Sequence, residues 1–323
     1  MSNVFRRARA YLTVHRRSSN RRHLAAALTL LVAVSAAPTA AVACACGCGV
    51  FDIGNPFPTQ PGGAVFVEYD YMDQSKNWHG LSPAPADDND DKIIRTSFYT
   101  AGFQYLFASG FGVMAEIPYW NRHFATDTGS AIESYDHAAI GDIRLTGFYA
   151  GLSEDNSTGV TFGIKLPSGD DSYAGFDRDT EIGTGSTDLS FGAYHVGKLS
   201  GDSSWRYFLQ GRTQFAVASR GGYRPGDELN AVAGVSYDAV AVGQTVEIAP
   251  TLQLIASLRS HDSGPAANPT DSGYSRLLIS PGVDVNVQNW TLHAEVDLPV
   301  YQNIIGNQLI ARELIKTTIL YNF

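Results

Sequence analysis

The strongest constraint on this chain is an alternation of apolar and polar residues that restarts a dozen times from Gly63 onward. Trp290, Leu292, Ala294, Val296, Leu298 and Val300 alternate with Thr291, His293, Glu295, Asp297 and Pro299. A period of two puts the first set on one face of a strand and the second on the other. Twelve such segments centre on residues 64–74, 93–108, 112–122, 141–152, 158–167, 187–198, 204–218, 229–239, 245–259, 274–288, 290–302 and 311–323. None approaches the run of about 18 apolar residues that a membrane-crossing helix needs.

Alternation alone also suits a soluble sandwich, and the connections separate the two. Long ones (75–92, 125–140, 168–186, 220–228, 261–273 and 303–310) alternate with short ones (109–111, 153–157, 199–203, 240–244 and 288–289). A transmembrane antiparallel barrel sorts its loops by end in this way, and a sandwich has no reason to. Trp78, Trp120, Trp205 and Trp290 fall near strand ends, where interfacial aromatic girdles are expected.

Both termini agree with a barrel. The last stretch, Ala311 to Phe323, splits into Ile315, Thr317, Ile319, Tyr321 and Phe323 on one face and Arg312, Leu314, Lys316, Thr318, Leu320 and Asn322 on the other. A terminal strand of this kind resembles the closing strand by which outer-membrane barrels are recognised by their assembly machinery. Residues 1–23 carry seven arginines and no acid, an apolar run of about 14 residues follows, and Ala41-Val42-Ala43 offers a small-x-small cleavage site. The expectation is an all-β protein: a transmembrane antiparallel β-barrel of about 12 strands in residues 63–323. Before it stand a cleaved signal peptide, 1–43, and a Cys-rich periplasmic or plug segment, 44–62. Removing residues 1–43 moves the formal charge from −9 to −16, which excludes nucleic acid as a partner.

The middle of the chain carries Gly141-Asp142-Ile143-Arg144-Leu145, then Gly163-Ile164-Lys165-Leu166-Pro167-Ser168-Gly169-Asp170, then Ile182-Gly183-Thr184-Gly185 with Asp188 close behind. This succession, over roughly 140–195, resembles the outer-membrane family named for the MetA pathway of phenol degradation, with Ser168 where Thr is usual. The resemblance implies a barrel of porin or transporter type in the outer membrane of a Gram-negative bacterium. On the residues alone, Pro167 lacks an amide hydrogen and Gly169 tolerates positive φ, so the pair ends a strand at a loop mouth.

The polar strand faces supply candidate pore-lining residues: Glu68, Asp70, Glu116, Arg144, Arg206, Arg212, Arg276, Asp284, His293, Glu295, Asp297, Arg312 and Lys316. Twelve strands enclose a narrow lumen in which such charges must pair. The densest set is Asp284 and Arg276 with His293, Glu295 and Asp297 and with Lys316 and Arg312. Either it selects a small solute or it stiffens the barrel as a salt-bridged plug. Cys44, Cys46 and Cys48 are the only cysteines; their spacing fits zinc poorly, and a soft metal ion, lipidation of Cys44 and no specific role are the readings it allows. No other cofactor is expected. The acidic loop Asp87-Asp88-Asn89-Asp90-Asp91 could meet lipopolysaccharide phosphates through divalent ions. No Gly-x-Ser-x-Gly occurs, and no serine is paired by the sequence with His195, so an enzyme is not expected. Two functions stand: a monomeric channel for small solutes, hydrophobic or aromatic ones among them, or a barrel anchoring a periplasmic metal, redox or partner-docking station.

Overall fold

The computed structural model describes residues 57–323 apart from Asp202 and Ala239. The leader and Cys44, Cys46 and Cys48 lie outside the described residues. The strands are β1 (Gly62–Gly80), β2 (Ser82–Pro83), β3 (Ile93–Leu106), β4 (Phe111–Asp127), β5 (Ile132–Ile140), β6 (Arg144–Tyr149) and β7 (Thr158–Lys165). They continue with β8 (Ser186–Lys198), β9 (Trp205–Ser219), β10 (Glu228–Tyr237), β11 (Val240–Val242), β12 (Val246–Arg259), β13 (Tyr274–Val287) and β14 (Trp290–Asn322).

All pairings between these strands are antiparallel, in the order β10-β9-β8-β7-β6-β4-β3-β1-β14-β13-β12, and β10 pairs with β12 to close the ring. The last strand contributes two staves. It runs antiparallel to β13 over 290–304 and antiparallel to β1 over 304–322, so it reverses near Gly306, whose φ is +67°. Unreversed, its 33 residues would reach ~110 Å at about 3.3 Å each, far beyond a hydrocarbon core of about 30 Å. Each of the twelve expected segments thus lies on a stave of the closed barrel.

Three expected long loops are partly strand, and so is the expected short turn 240–244, where β11 pairs with β12. β1 continues to Gly80, β4 continues to Asp127 with β5 returning beside it, and residues 303–310 turn within the ladder. Beyond the membrane, water solvates both faces of a hairpin, so the polar residues of Ile132–Ile140 do not end the pairing. Between β5 and β6, which share β4 as partner, the stave is interrupted at 141–143.

The outer face is apolar: Val67, Phe103, Val113, Ile117, Phe162, Leu209, Leu229, Leu254, Leu298 and Ile319 are exposed. The inner face carries the partners of opposite parity, among them Glu68, Asp70, Asn230, Gln253, Ser280, Asp297 and Lys316, all buried. Burying a large apolar side chain is worth roughly 1.5–3 kcal/mol, so a continuous outward band of them requires lipid. At the short-turn end, Trp205 pairs with Tyr237 at 5.2 Å and Trp290 with Tyr321 at 4.8 Å, both tryptophans exposed, forming a girdle. Trp120 and Trp78 do not belong to one. Trp120 shares strand parity with Glu116 and Arg122 and packs inside against Phe98, and Trp78 packs on buried Tyr274, Ile304 and Ile310.

Leu254 stands midway along β12 on the outer face. Leu254→Arg is expected to lower the unfolding free energy in phospholipid vesicles by about 2–4 kcal/mol relative to Leu254→Ala, measured by denaturant titration.

Candidate functional site

The lumen is entered by the chain between β7 and β8, residues 166–185. Asp142, at the break in the stave, is the post that holds it. Its Oδ1 accepts from the Gly169 N–H at 3.0 Å, and its Oδ2 accepts from the Thr184 N–H at 3.0 Å and the Thr184 hydroxyl at 2.6 Å. Buried Lys165 lies between Asp142, at 3.3 Å, and Asp188, at 2.8 Å, and also donates to Thr184 and Ser186. Two glycines let the loop limbs touch. A Cβ on Gly169 would stand 2.7 Å from the Gly183 Cα, and one on Gly183 only 2.4 Å from the Gly169 backbone.

Arg122 fixes the far side of the loop. Fully buried, it lies 5.1 Å over the Trp120 ring, donates to Thr96 at 2.9 Å, and reaches the carbonyls of Thr180 and Glu181. Asp171 receives Arg220 through both oxygens and Arg178 at 3.3 Å, while Arg178 stacks 4.5 Å over Tyr223. The Lys-Leu-Pro-Ser-Gly-Asp and Ile-Gly-Thr-Gly stretches therefore do more than end a strand: they pin an inserted loop.

Above the loop, a chamber of about 360 Å³ opens at the long-loop end beside Lys92, Arg178, Asp271 and Gln308. At mid-height an apolar layer crosses the inner wall, made by Met72, Phe98, Val232, Ile255, Leu278 and Leu314 with Trp120 and Phe208 against them. At the short-turn end lies a second chamber, of about 290 Å³, reached by Gln104, Arg206, Phe208, Gln253, Asp284 and His293. Pro58 also lines it, and Phe57 is buried inside the barrel, stacked 4.6 Å from Tyr194 and 5.1 Å from Phe148. The described residues just before β1 thus enter the short-turn mouth.

The structure gathers part of the sequence-derived set into one cluster. His293 donates through Nδ1 to the Asp284 carboxylate at 2.6 Å and stands 3.3 Å from Glu295, and Lys316 lies 3.6 Å from Glu68, whose carboxylate also accepts from Thr318. Asp70 is the ladder partner of Lys316, and Asp297 is buried on the neighbouring limb. Arg276 is elsewhere, 3.6 Å over the Tyr274 ring near the long-loop end of β13. Arg312 is exposed and does not join the acids. The β1 ladder steps from Met72 to Gln74 while β14 steps from Leu314 to Ala311, and this extra residue takes Arg312 off the inward parity. Glu116 and Arg144 are ladder partners on the opposite wall, Arg212 faces Glu116 and Glu228 electrostatically, and Arg206 is exposed at the short-turn mouth. Both ring nitrogens of His195 are occupied, by Thr158 at 2.8 Å and Tyr207 at 2.9 Å.

Arg122 went unremarked in the sequence, although its parity with Glu116 marked it as inward. Arg259, buried on the inner face of β12, lies 3.5 Å from Glu228 and 2.8 Å from Asp262.

No family model matches the chain, and no curated protein matches it. Among solved structures it is similar to an outer membrane channel from Pseudomonas putida F1, at 13% identity and a TM-score of 0.63, over 83% of this chain and 97% of that one. It also matches the β domain of the Bordetella autotransporter BrkA, at 11% identity and a TM-score of 0.46, over 82% and 100%. A third match is the translocator domain of the autotransporter NalP from Neisseria meningitidis, at 13% and 0.45, over 94% and 97%. The first of these likenesses establishes the fold: a closed barrel of the outer-membrane kind.

Within the loop, burial raises the Glu181 carboxyl to about 7, and nearby Asp179 is raised by burial and then by Asp177. A docked Glu181 therefore holds a proton that an undocked one releases at the usual carboxylate pH. Docking is favoured below about pH 4.5 and weakens as pH rises to about 7. A nitroxide at exposed Ser172 should give a broad line at pH 5 and a narrower one at pH 8, whereas Glu181→Gln should stay broad throughout. Identical narrowing in that variant would refute the assignment.

Proposed function

We propose that this chain is a channel of the Gram-negative outer membrane that passes small solutes, hydrophobic or aromatic ones among them. The observation that carries this reading is the series along the lumen: a polar chamber, a pinned loop, an apolar layer and a second polar chamber. A barrel serving only as an anchor needs no chambers and no loop held inside by a dedicated set of buried charges. Chambers of about 360 and 290 Å³ suit solutes of modest size, and the apolar layer between them favours one with an apolar part. The barrel of similar fold is named an outer membrane channel, a use that this architecture admits. The resemblance over residues 140–195 points to the same class of work. On this reading the partners are membrane lipid, lipopolysaccharide at the long loops, and the solute.

Proteoliposomes bearing the full protein should swell in isosmotic phenylalanine and not in stachyose. Gly169→Val, which cannot keep the loop limbs in contact, should raise the phenylalanine rate severalfold. Swelling no faster than in protein-free liposomes, for both proteins, would contradict a solute path.

A further inference from the structure

The short-turn chamber is asymmetric in its chemistry. Its wall on β12, β13 and β14 presents acceptors. Gln253, 2% exposed, donates its amide to Glu295 and leaves its Oε1 without a hydrogen-bond partner, and the Thr251 hydroxyl beside it is likewise unpartnered. Asp284 reaches the same space with one oxygen held by His293. Immediately behind stand Glu68, Asp70, Glu295 and Asp297 around Lys316. Asp70, Glu295 and Asp297 each keep one buried oxygen without a hydrogen-bond partner among the described residues.

Five carboxyls thus face two bases, Lys316 and His293, so the wall carries an excess of acid even with both bases charged. The groups across the lumen do not cancel it. Arg212 interacts with Glu228 and Glu116, and Arg206, which lines the chamber at its exposed mouth, adds one positive charge, leaving five acids against three bases. Of the remaining lining, Phe208, Val196 and Leu320 form an apolar patch, and Gln104, Tyr207, Ser236 and Asn322 are neutral and polar.

We propose that this chamber is a subsite for a small organic cation: a primary ammonium group donating to Gln253, Thr251 and Asp284, its carbon chain lying on Phe208, Val196 and Leu320. An anion would meet acceptors and like charge. A neutral alcohol would gain nothing from the acid behind the wall. The subsite rests on the channel reading and deepens it by naming the solute's charged end.

Calorimetric titration of the folded full-length protein with n-propylammonium, n-propanol and propionate tests this whether or not current flows, and KCl current in planar bilayers tests passage separately. Propylammonium is expected to bind at least tenfold more tightly than the other two probes. The preference should fall severalfold or more in Gln253→Leu and in Asp284→Asn, both checked for barrel folding by their heat-dependent gel mobility. Equal or absent binding of the three probes, tighter binding of propionate, or an undiminished preference in both folded variants would overturn the subsite. Absence of current with selective binding intact would overturn the channel alone.

Discussion

Everything in this molecule depends on the backbone having no hydrogen-bonding partner in hydrocarbon other than itself. Each unpaired N–H or C=O in lipid costs several kcal/mol, so a strand-built wall must close on itself. Here it closes through β10 with β12 and through the descending limb of β14 with β1, where residues 64–72 pair in continuous register with residues 314–322. Once the ladder is closed, strand parity assigns each wall residue to lipid or lumen, and the two solvents impose opposite demands on the side chains.

Lipid accepts only apolar groups, which is why the outer face is monotonous. The lumen accepts charges, but twelve staves leave too little room for each to keep a full shell of water, so acids and bases must satisfy one another. Lys165 between Asp142 and Asp188, and Lys316 beside Glu68, are local answers to that demand. The first answer also does mechanical work. By breaking the stave at 141–143, the chain frees Asp142 to take three hydrogen bonds from loop residues, so desolvated charge holds a loop inside the barrel.

The wall was legible in the sequence because lipid enforces the alternation along most of each stave, and every expected segment lies on a stave. Membership of the inner face was legible for Glu68, Asp70, His293, Glu295 and Lys316 by the same parity. It was not legible for Arg312, because a bulge leaves no mark in a string of residues, nor for Trp120, whose position near a strand end suggested a girdle while its parity said lumen. The inserted loop was recorded in the sequence only as turn-formers. What Gly169 and Gly183 accomplish depends on their meeting each other, and Arg122 reaches backbone carbonyls of residues 180 and 181, which carry no side-chain signature. Contacts between distant backbones are set by tertiary closure, which composition and spacing do not encode.

The molecule is thus a lipid-facing shell fixed by alternation around a lumen graded by charge, loop and apolar layer, with Asp142 as the post that holds the inserted loop. On the proposed channel reading, the pinned loop sets the width of the passage. Single-channel recording in KCl compares the full protein with Asp142→Ala directly. Small, steady openings in the wild type and larger, noisier ones in the variant are the predicted result; no current in either folded protein, or indistinguishable conductance in the two, would contradict it.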